Sequence, residues 1–152
     1  MSEANGSRCS FSKADIQKAD VEDVNKLLSQ LSRSSDQLTE QQLAEIIGRS
    51  NFYLLVARYK NRIVGMATLT FKSTLMRNIG FIDDVVVDEN HRRQGIAGKL
   101  LDKLIKFART KKLSYLDLTS NPQRKEANKL YLKLGFKLIG IVDGSNYYRL
   151  IL

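Results

Sequence analysis

Residues that build metal centres and disulfides are scarce in this sequence. Cysteine and histidine occur once each, as Cys9 and His91. A lone cysteine excludes an internal disulfide and fits a reducing compartment. The two together supply too few ligands for a zinc site of the usual His/Cys kind, so no metal is expected. No apolar run approaches the length of a membrane span, and no membrane partner is expected. Residues 1–10 lack the basic start and apolar core of a secretory signal. They are small and polar, so they are expected to be disordered and the protein cytoplasmic. Internal repeats and low-complexity segments are absent. Acidic residues are in deficit: 25 Lys and Arg face 16 Asp and Glu, a formal net charge of +9. That balance suggests anionic ligands or polyanions without choosing among them. Much of the excess lies between Arg92 and Lys112, where a solubilising charged face explains most of the lysines.

What is present is ordinary for a globular domain: 152 residues, 43% hydrophobic and 27% charged. That length supports one real core and is short for two, so residues 11–152 are expected to form a single domain. The chain is organised around residues 80–109. The stretch opens as a strand, with Phe81 and Ile82 followed by the β-branched run Val85, Val86 and Val87. It closes as a helix, because Ile96, Ala97, Leu100, Leu101, Leu104, Ile105 and Ala108 recur at four-residue steps. The junction is a short loop, residues 88–94, that runs into Gly95-Ile96-Ala97-Gly98. A helix start leaves four N–H groups without intrahelical acceptors and carries the positive end of the dipole. Gly95 and Gly98 would admit a ligand close to the backbone, and Arg92, Arg93 and Lys99 surround the turn with cations. This is either a site for a phosphate or pyrophosphate, or an ordinary strand-to-helix turn with solvated basic residues. A P-loop is excluded, since only two residues separate Gly95 from Gly98 and no Lys-Ser or Lys-Thr follows. A dinucleotide fingerprint is excluded by Ala97 at the second glycine position.

Ahead of this stretch, Asp20 is expected to cap a helix with apolar positions Val21, Val24, Leu27, Leu28 and Leu31. Thr39 and Gln42 have capping-box spacing, with Leu38 and Leu43 as the staple and Gly48 as the end of a short helix. Residues 52–59 and 63–71 read as strands of a hairpin turned at Lys60-Asn61-Arg62. Residues 72–78 are a polar connection. After the central helix, residues 115–118 read as a short strand. Asn121-Pro122 reads as a helix cap with a first-turn proline, and Ala127, Leu130, Tyr131 and Leu134 as that helix's inner face. Residues 136–142 and 146–152 form a closing hairpin around Asp143-Gly144. This order implies an α+β fold with one central sheet and a parallel pair joined by a right-handed crossover.

Two blocks resemble one family. Arg92-x-x-Gly95-x-Ala97, after Ile82-Asp83-Asp84-Val85-Val86-Val87, is similar to the acetyl-CoA pyrophosphate loop of the GCN5-related N-acetyltransferases (GNAT). Asn128-Lys-Leu-Tyr131-Leu-Lys-Leu-Gly135-Phe136 is similar to the family's late helix and following strand. Each block alone is a weak signal; the two at this separation are specific.

The resemblance implies a mostly antiparallel central sheet with helices on both faces and a splayed parallel strand pair that binds the cofactor. It implies that the backbone of Val85, Val86 and Val87 pairs with the pantetheine arm. Arg92, Arg93, Gln94, Gly95, Ile96, Ala97, Gly98 and Lys99 would hold the pyrophosphate. Asn121 and Asn128 match positions that often bond the arm, or serve as a cap and a surface amide. Tyr131 matches the tyrosine that protonates the CoA sulfur, or is a core aromatic. Asp83 and Asp84 match the position of an acidic base, or are solvated carboxylates. Adjacent strand residues face opposite ways, so one of these two at most would point into the site. His91 reads as a loop residue.

The implied activity is acetyl transfer from acetyl-CoA to a primary amine, a positioning task aided by proton transfer. Two other readings compete. Gly95-Ile96-Ala97-Gly98 superficially fits the GXXG loop of KH-type RNA-binding modules, although that loop joins two helices and here a strand precedes it. The fold could also serve a non-catalytic acyl-CoA-binding protein. No specific nucleic acid is expected, homodimer formation is left open, and the acceptor carries no signature.

Overall fold

In the computed structural model, residues 9–14, 18–34 and 36–152 are described. The disorder expected for residues 1–10 falls almost wholly outside them, and Ser10 already belongs to a strand. The elements are β1 (Ser10–Lys13), α1 (Lys18–Leu31), α2 (Glu40–Ile47), β2 (Phe52–Tyr59), β3 (Arg62–Ser73) and β4 (Asn78–Val87), followed by α3 (Ile96–Thr110), β5 (Tyr115–Ser120), α4 (Lys125–Lys133), β6 (Lys137–Val142) and β7 (Ser145–Ile151). The strands lie in the order β1-β2-β3-β4-β5-β7-β6, which makes a mixed α+β fold with a mostly antiparallel sheet. The parallel pair is β4 with β5, registered from Ile79–Tyr115 to Phe81–Asp117; both strands continue past that last pair. Among the described residues, no helix is long and apolar enough to cross a membrane.

The chain divides into two compact units: residues up to Thr68 with Asp84–Leu101, and Leu69–Asp83 with Asp102–Leu152. In the first, Val24, Leu27, Leu43, Leu54, Val56, Ile63, Met66 and Val86 form a buried cluster, with Val21, Leu28, Leu31 and Leu38 packed on it. The capping box is present: Gln42 N donates to Thr39 Oγ1 at 3.1 Å and Thr39 N to Gln42 Oε1 at 2.9 Å. Asp20 is not a cap. It lies in the first turn of α1 and accepts two bonds from Arg58 of β2, at 2.8 and 3.0 Å. Asp23, one turn on, accepts from Arg62 and from the backbone N–H of Ile63. The two carboxylates fasten α1 to the β2–β3 hairpin, whose turn residues Lys60 and Asn61 both have positive φ. Gly65 admits α3: a Cβ there would stand 3.1 Å from Ile96.

In the second unit, Gly80 has no room for a side chain, since a Cβ would meet Leu116 at 2.7 Å and Leu113 at 2.8 Å. β5 pairs with β7 from Tyr115–Ile151 to Ser120–Asn146, which leaves β6 at the end of the strand order. The turn at Asp143 and Gly144, both at positive φ, closes the last hairpin.

Candidate active site

The first unit carries the strand-to-helix junction. Asp84 sits at φ 52°, a left-handed conformation that Asp tolerates better than most side chains. Val85, Val86 and Val87 are all buried, at 8%, 4% and 8% exposure, as are the central residues of β2 and β3. Asp83 is exposed. Asp84 is half-buried and accepts a bond from Thr68 Oγ1 at 3.0 Å.

Asp88 anchors the loop that follows. Its N–H donates to Val64 O at 2.8 Å, and its carboxylate accepts from Gln30 Nε2 at 2.8 Å and lies 3.1 Å from His91 Nδ1. Burial pushes the Asp88 pKa up, but Gln30, His91 and the Lys26 ammonium together bring it below the usual carboxylate range. His91 ends a single 3-10 turn, Glu89–His91, and packs its ring against Tyr59. Arg92 folds back, its Nε donating to Val87 O at 3.0 Å. Arg93 and Gly95 take left-handed φ of 62° and 77°, and no atom lies within 4 Å of where a Gly95 Cβ would stand. The Gly95 carbonyl then accepts the N–H of Lys99, which opens α3. Gln94 Oε1 is buried without a hydrogen-bond partner. The Lys99 ammonium stands 6.0 Å from the Phe11 ring centre. Cys9, distant in sequence, feels the same ammonium: burial raises its thiol pKa and Lys99 opposes the rise.

The second unit carries the end of β5 and α4. Ser120 Oγ, at the last position of β5, is buried and has no hydrogen-bond partner. Asn121 and Pro122 do not begin the helix. Asn121 Oδ1 accepts Gln123 N–H at 2.9 Å and its carbonyl accepts Arg124 N–H at 3.0 Å, so the pair forms a turn ahead of α4. Proline fixes φ in that turn as readily as in a first helical turn.

Asn128 is committed within the protein. Its Nδ2 donates to the carbonyls of Asn121 and Arg124, at 2.9 and 2.7 Å. Its Oδ1 accepts Tyr148 OH at 2.7 Å and Asn146 Nδ2 at 3.2 Å. Both donors and both lone pairs are used. Tyr131 is 2% exposed, with its ring against Phe136 and Tyr148. Burial raises its pKa, and the adjacent Arg124 guanidinium opposes the rise.

Local motifs in the sequence mark Asn128 and Tyr131 but not Tyr148, Asn146, Arg124, Ser120, Thr68 or Gln30. None of those carries a local motif; each enters through a partner or a burial that the fold creates.

A family model for the acetyltransferase (GNAT) family matches residues 21–136. The chain is 32% identical over 88 residues to N-acetylaspartate synthetase from Xenopus tropicalis, which covers 58% of this chain and 32% of that protein. It is 31% identical over 80 residues to L-2,4-diaminobutyric acid acetyltransferase from Halalkalibacterium halodurans, covering 53% and 42%. The matched segments thus span less than half of either relative. A crystal structure of an acetyltransferase from Trypanosoma brucei superimposes with a TM-score of 0.75 at 26% identity, over 88% of this chain and 96% of that one.

Proposed function

Because the chain belongs to the acetyltransferase (GNAT) family, we propose that it is an acetyl-CoA-dependent N-acetyltransferase acting on a primary amine of a small molecule or protein. Residues 11–152 act as its one catalytic domain. The observation that carries the reading is the β4–α3 junction, where a buried oxygen without a protein partner, Gln94 Oε1, adjoins a left-handed glycine and a helix start. Buried polar groups normally find a partner, so an orphan in such a place favours a bound polar ligand.

Acetyl-CoA fits these residues. The backbone of Val85, Val86 and Val87 would take the pantetheine arm, and the turn from Arg92 to Lys99 the pyrophosphate, with open space at Gly95. Asn128, which the resemblance offers to the arm, also latches the turn at Asn121 and Arg124 to β7.

In the transfer, the amine nitrogen bonds to the thioester carbonyl carbon as the carbon–sulfur bond breaks. Asp84, oriented by Thr68, accepts the amine's proton through water. Tyr131 gives its phenolic proton to the sulfur; Arg124 beside it stabilises the phenolate until solvent returns the proton.

The test is a panel of amines assayed for free CoA release, begun with amino acids because both curated relatives are named for acetylated amino acids. Turnover with at least one amine is expected, with Asp84→Asn slow mainly at low pH and Asp83→Asn near the parent rate. Failure to bind acetyl-CoA would sink the reading. Binding without turnover across the panel would make the protein a non-catalytic acyl-CoA binder.

A further inference from the structure

The turn between β3 and β4 is tied by its own hydrogen bonds, and it holds apolar side chains out in water. Thr74 N–H donates to Arg77 O at 2.8 Å, and Thr74 Oγ1 accepts Arg77 N–H at 3.0 Å. Hairpin tips usually carry Gly, Asn or Asp. Here the tip is Leu75 and Met76, at 109% and 83% exposure, the highest among the exposed large hydrophobics. Ile151, 69% exposed, lies at the same end of the second unit. It pairs with Tyr115, and Tyr115 pairs with Ile79 at the start of β4. Cations surround the tip. Lys72 and Arg77 flank it, and both are exposed. Asn78 O accepts Ser114 N–H at 2.7 Å, which sets the exposed Lys111 and Lys112 on the neighbouring turn. Residues 71–82 and 103–116 contain no Asp or Glu. Among the described residues, Lys72, Arg77, Lys111 and Lys112 form no ion pair.

We propose that this end of the protein docks on an anionic lipid bilayer, with Leu75 and Met76 among the acyl chains and the cations at the headgroups. Two forces then act together. The apolar side chains leave water, and each Lys or Arg near a negative membrane surface strengthens binding about fivefold. The net charge of +9 favours the approach as well. A single exposed apolar residue is ordinary, but two on a tied turn amid unpaired cations form a patch of mixed character. RNA would satisfy the cations and leave Leu75 and Met76 in water, whereas a bilayer takes both. The sequence lacks a spanning segment, and a surface contact needs none. None of these residues is among those proposed to hold acetyl-CoA, so docking and catalysis are separable.

The experiment is co-sedimentation of the full chain with vesicles of phosphatidylcholine and phosphatidylglycerol in equal parts, against phosphatidylcholine alone. The parent should bind the anionic vesicles at least tenfold more tightly, and added salt should weaken that binding. Leu75→Ser with Met76→Ser should lose at least tenfold while keeping the parent's melting temperature and its affinity for acetyl-CoA, since both side chains are exposed. Lys72→Gln with Lys112→Gln should lose about fivefold for each charge removed. The chain has no tryptophan, so Met76→Trp supplies a single reporter. Its emission should move to the blue on anionic vesicles and be quenched by brominated lipid. A parent that ignores anionic vesicles at low salt would overturn the proposal, as would a reporter that stays in water while the protein is bound. Vesicle binding that survives Leu75→Ser with Met76→Ser, and that single-stranded RNA matches, would overturn it too, because charge alone would then explain the contact.

Discussion

Tyr131 occupies surroundings that favour a neutral phenol. Burial raises its pKa and Tyr148 adds to the rise, while Arg124 opposes it. A phenol ordinarily titrates near ~10, so a raised value keeps the proton in place at neutral pH and leaves it available to a departing thiolate. Tyr131→Phe preserves the ring and its contacts with Phe136 and Tyr148. The variant should bind acetyl-CoA as the parent does and melt within a few degrees of it. Turnover should fall at least tenfold with every acceptor, since a positioned acid contributes about a hundred- to ten-thousand-fold. Steady-state kinetics on two unrelated amines checks this, and parent-like rates would return Tyr131 to the role of a core aromatic. That competing role was visible in the sequence, and burial at 2% makes it true whatever the chemistry. Asp84 was less legible. Its left-handed backbone gives no local signal, because Asp takes strand, turn and left-handed conformations alike.

At the level of elements, legibility followed the distance between partners. The Thr39–Gln42 capping box, the Lys60-Asn61 hairpin turn and the four-residue periodicity of α3 are complete within a few residues, and the structure has all three. Asp20 and Asn121 looked like helix caps because caps are the commonest local use of such residues. Asp20 instead found Arg58, 38 residues away, and Asn121 closed a turn one step ahead of α4. β1 was missed because Ser10–Lys13 has no alternating pattern and owes its form to pairing with β2. Asn128 illustrates the same limit, since its four bonds join α4 to a turn and to β7. The resemblance implies a ligand contact and the bonds give a latch, and the two roles separate on mutation. Asn128→Ala leaves the carbonyls of Asn121 and Arg124 their backbone donors, Arg124 N–H and residue 128 N–H, but takes the acceptor from the buried Tyr148 hydroxyl, and should cost about 1–3 kcal/mol in urea unfolding. Tyr148→Phe removes one donor while Asn146 still serves Asn128 Oδ1, and should cost about 1 kcal/mol. The double variant should cost less than the sum, because both changes break one network. An Asn128→Ala protein of parental stability that has lost acetyl-CoA affinity would reverse the assignment.

At the scale of the whole molecule, the question is whether the chain behaves as one domain. β3, β4 and α3 each contribute residues to both compact units: β3 divides at Thr68, β4 at Asp83 and α3 at Leu101. Breaking either unit alone would require a strand or helix to fray in mid-element, which forfeits cooperative hydrogen bonds. One calorimetric transition is therefore expected, with calorimetric and van't Hoff enthalpies equal, and residues 11–152 would then be a single domain in the thermodynamic sense. Acetyl-CoA should raise that transition as a whole. At a free concentration a hundred times Kd, a ligand that binds only the folded state contributes about 2.7 kcal/mol, a shift of several degrees for a chain of this size. Added salt should shrink the shift, because a net charge of +9 attracts the anionic nucleotide and ions screen that attraction. Gly98→Glu, which places a carboxylate in the first turn of α3, should leave one transition and remove the ligand's effect. Two separate transitions, only one of them moved by acetyl-CoA, would mean that the units unfold independently and that binding rests on one of them alone.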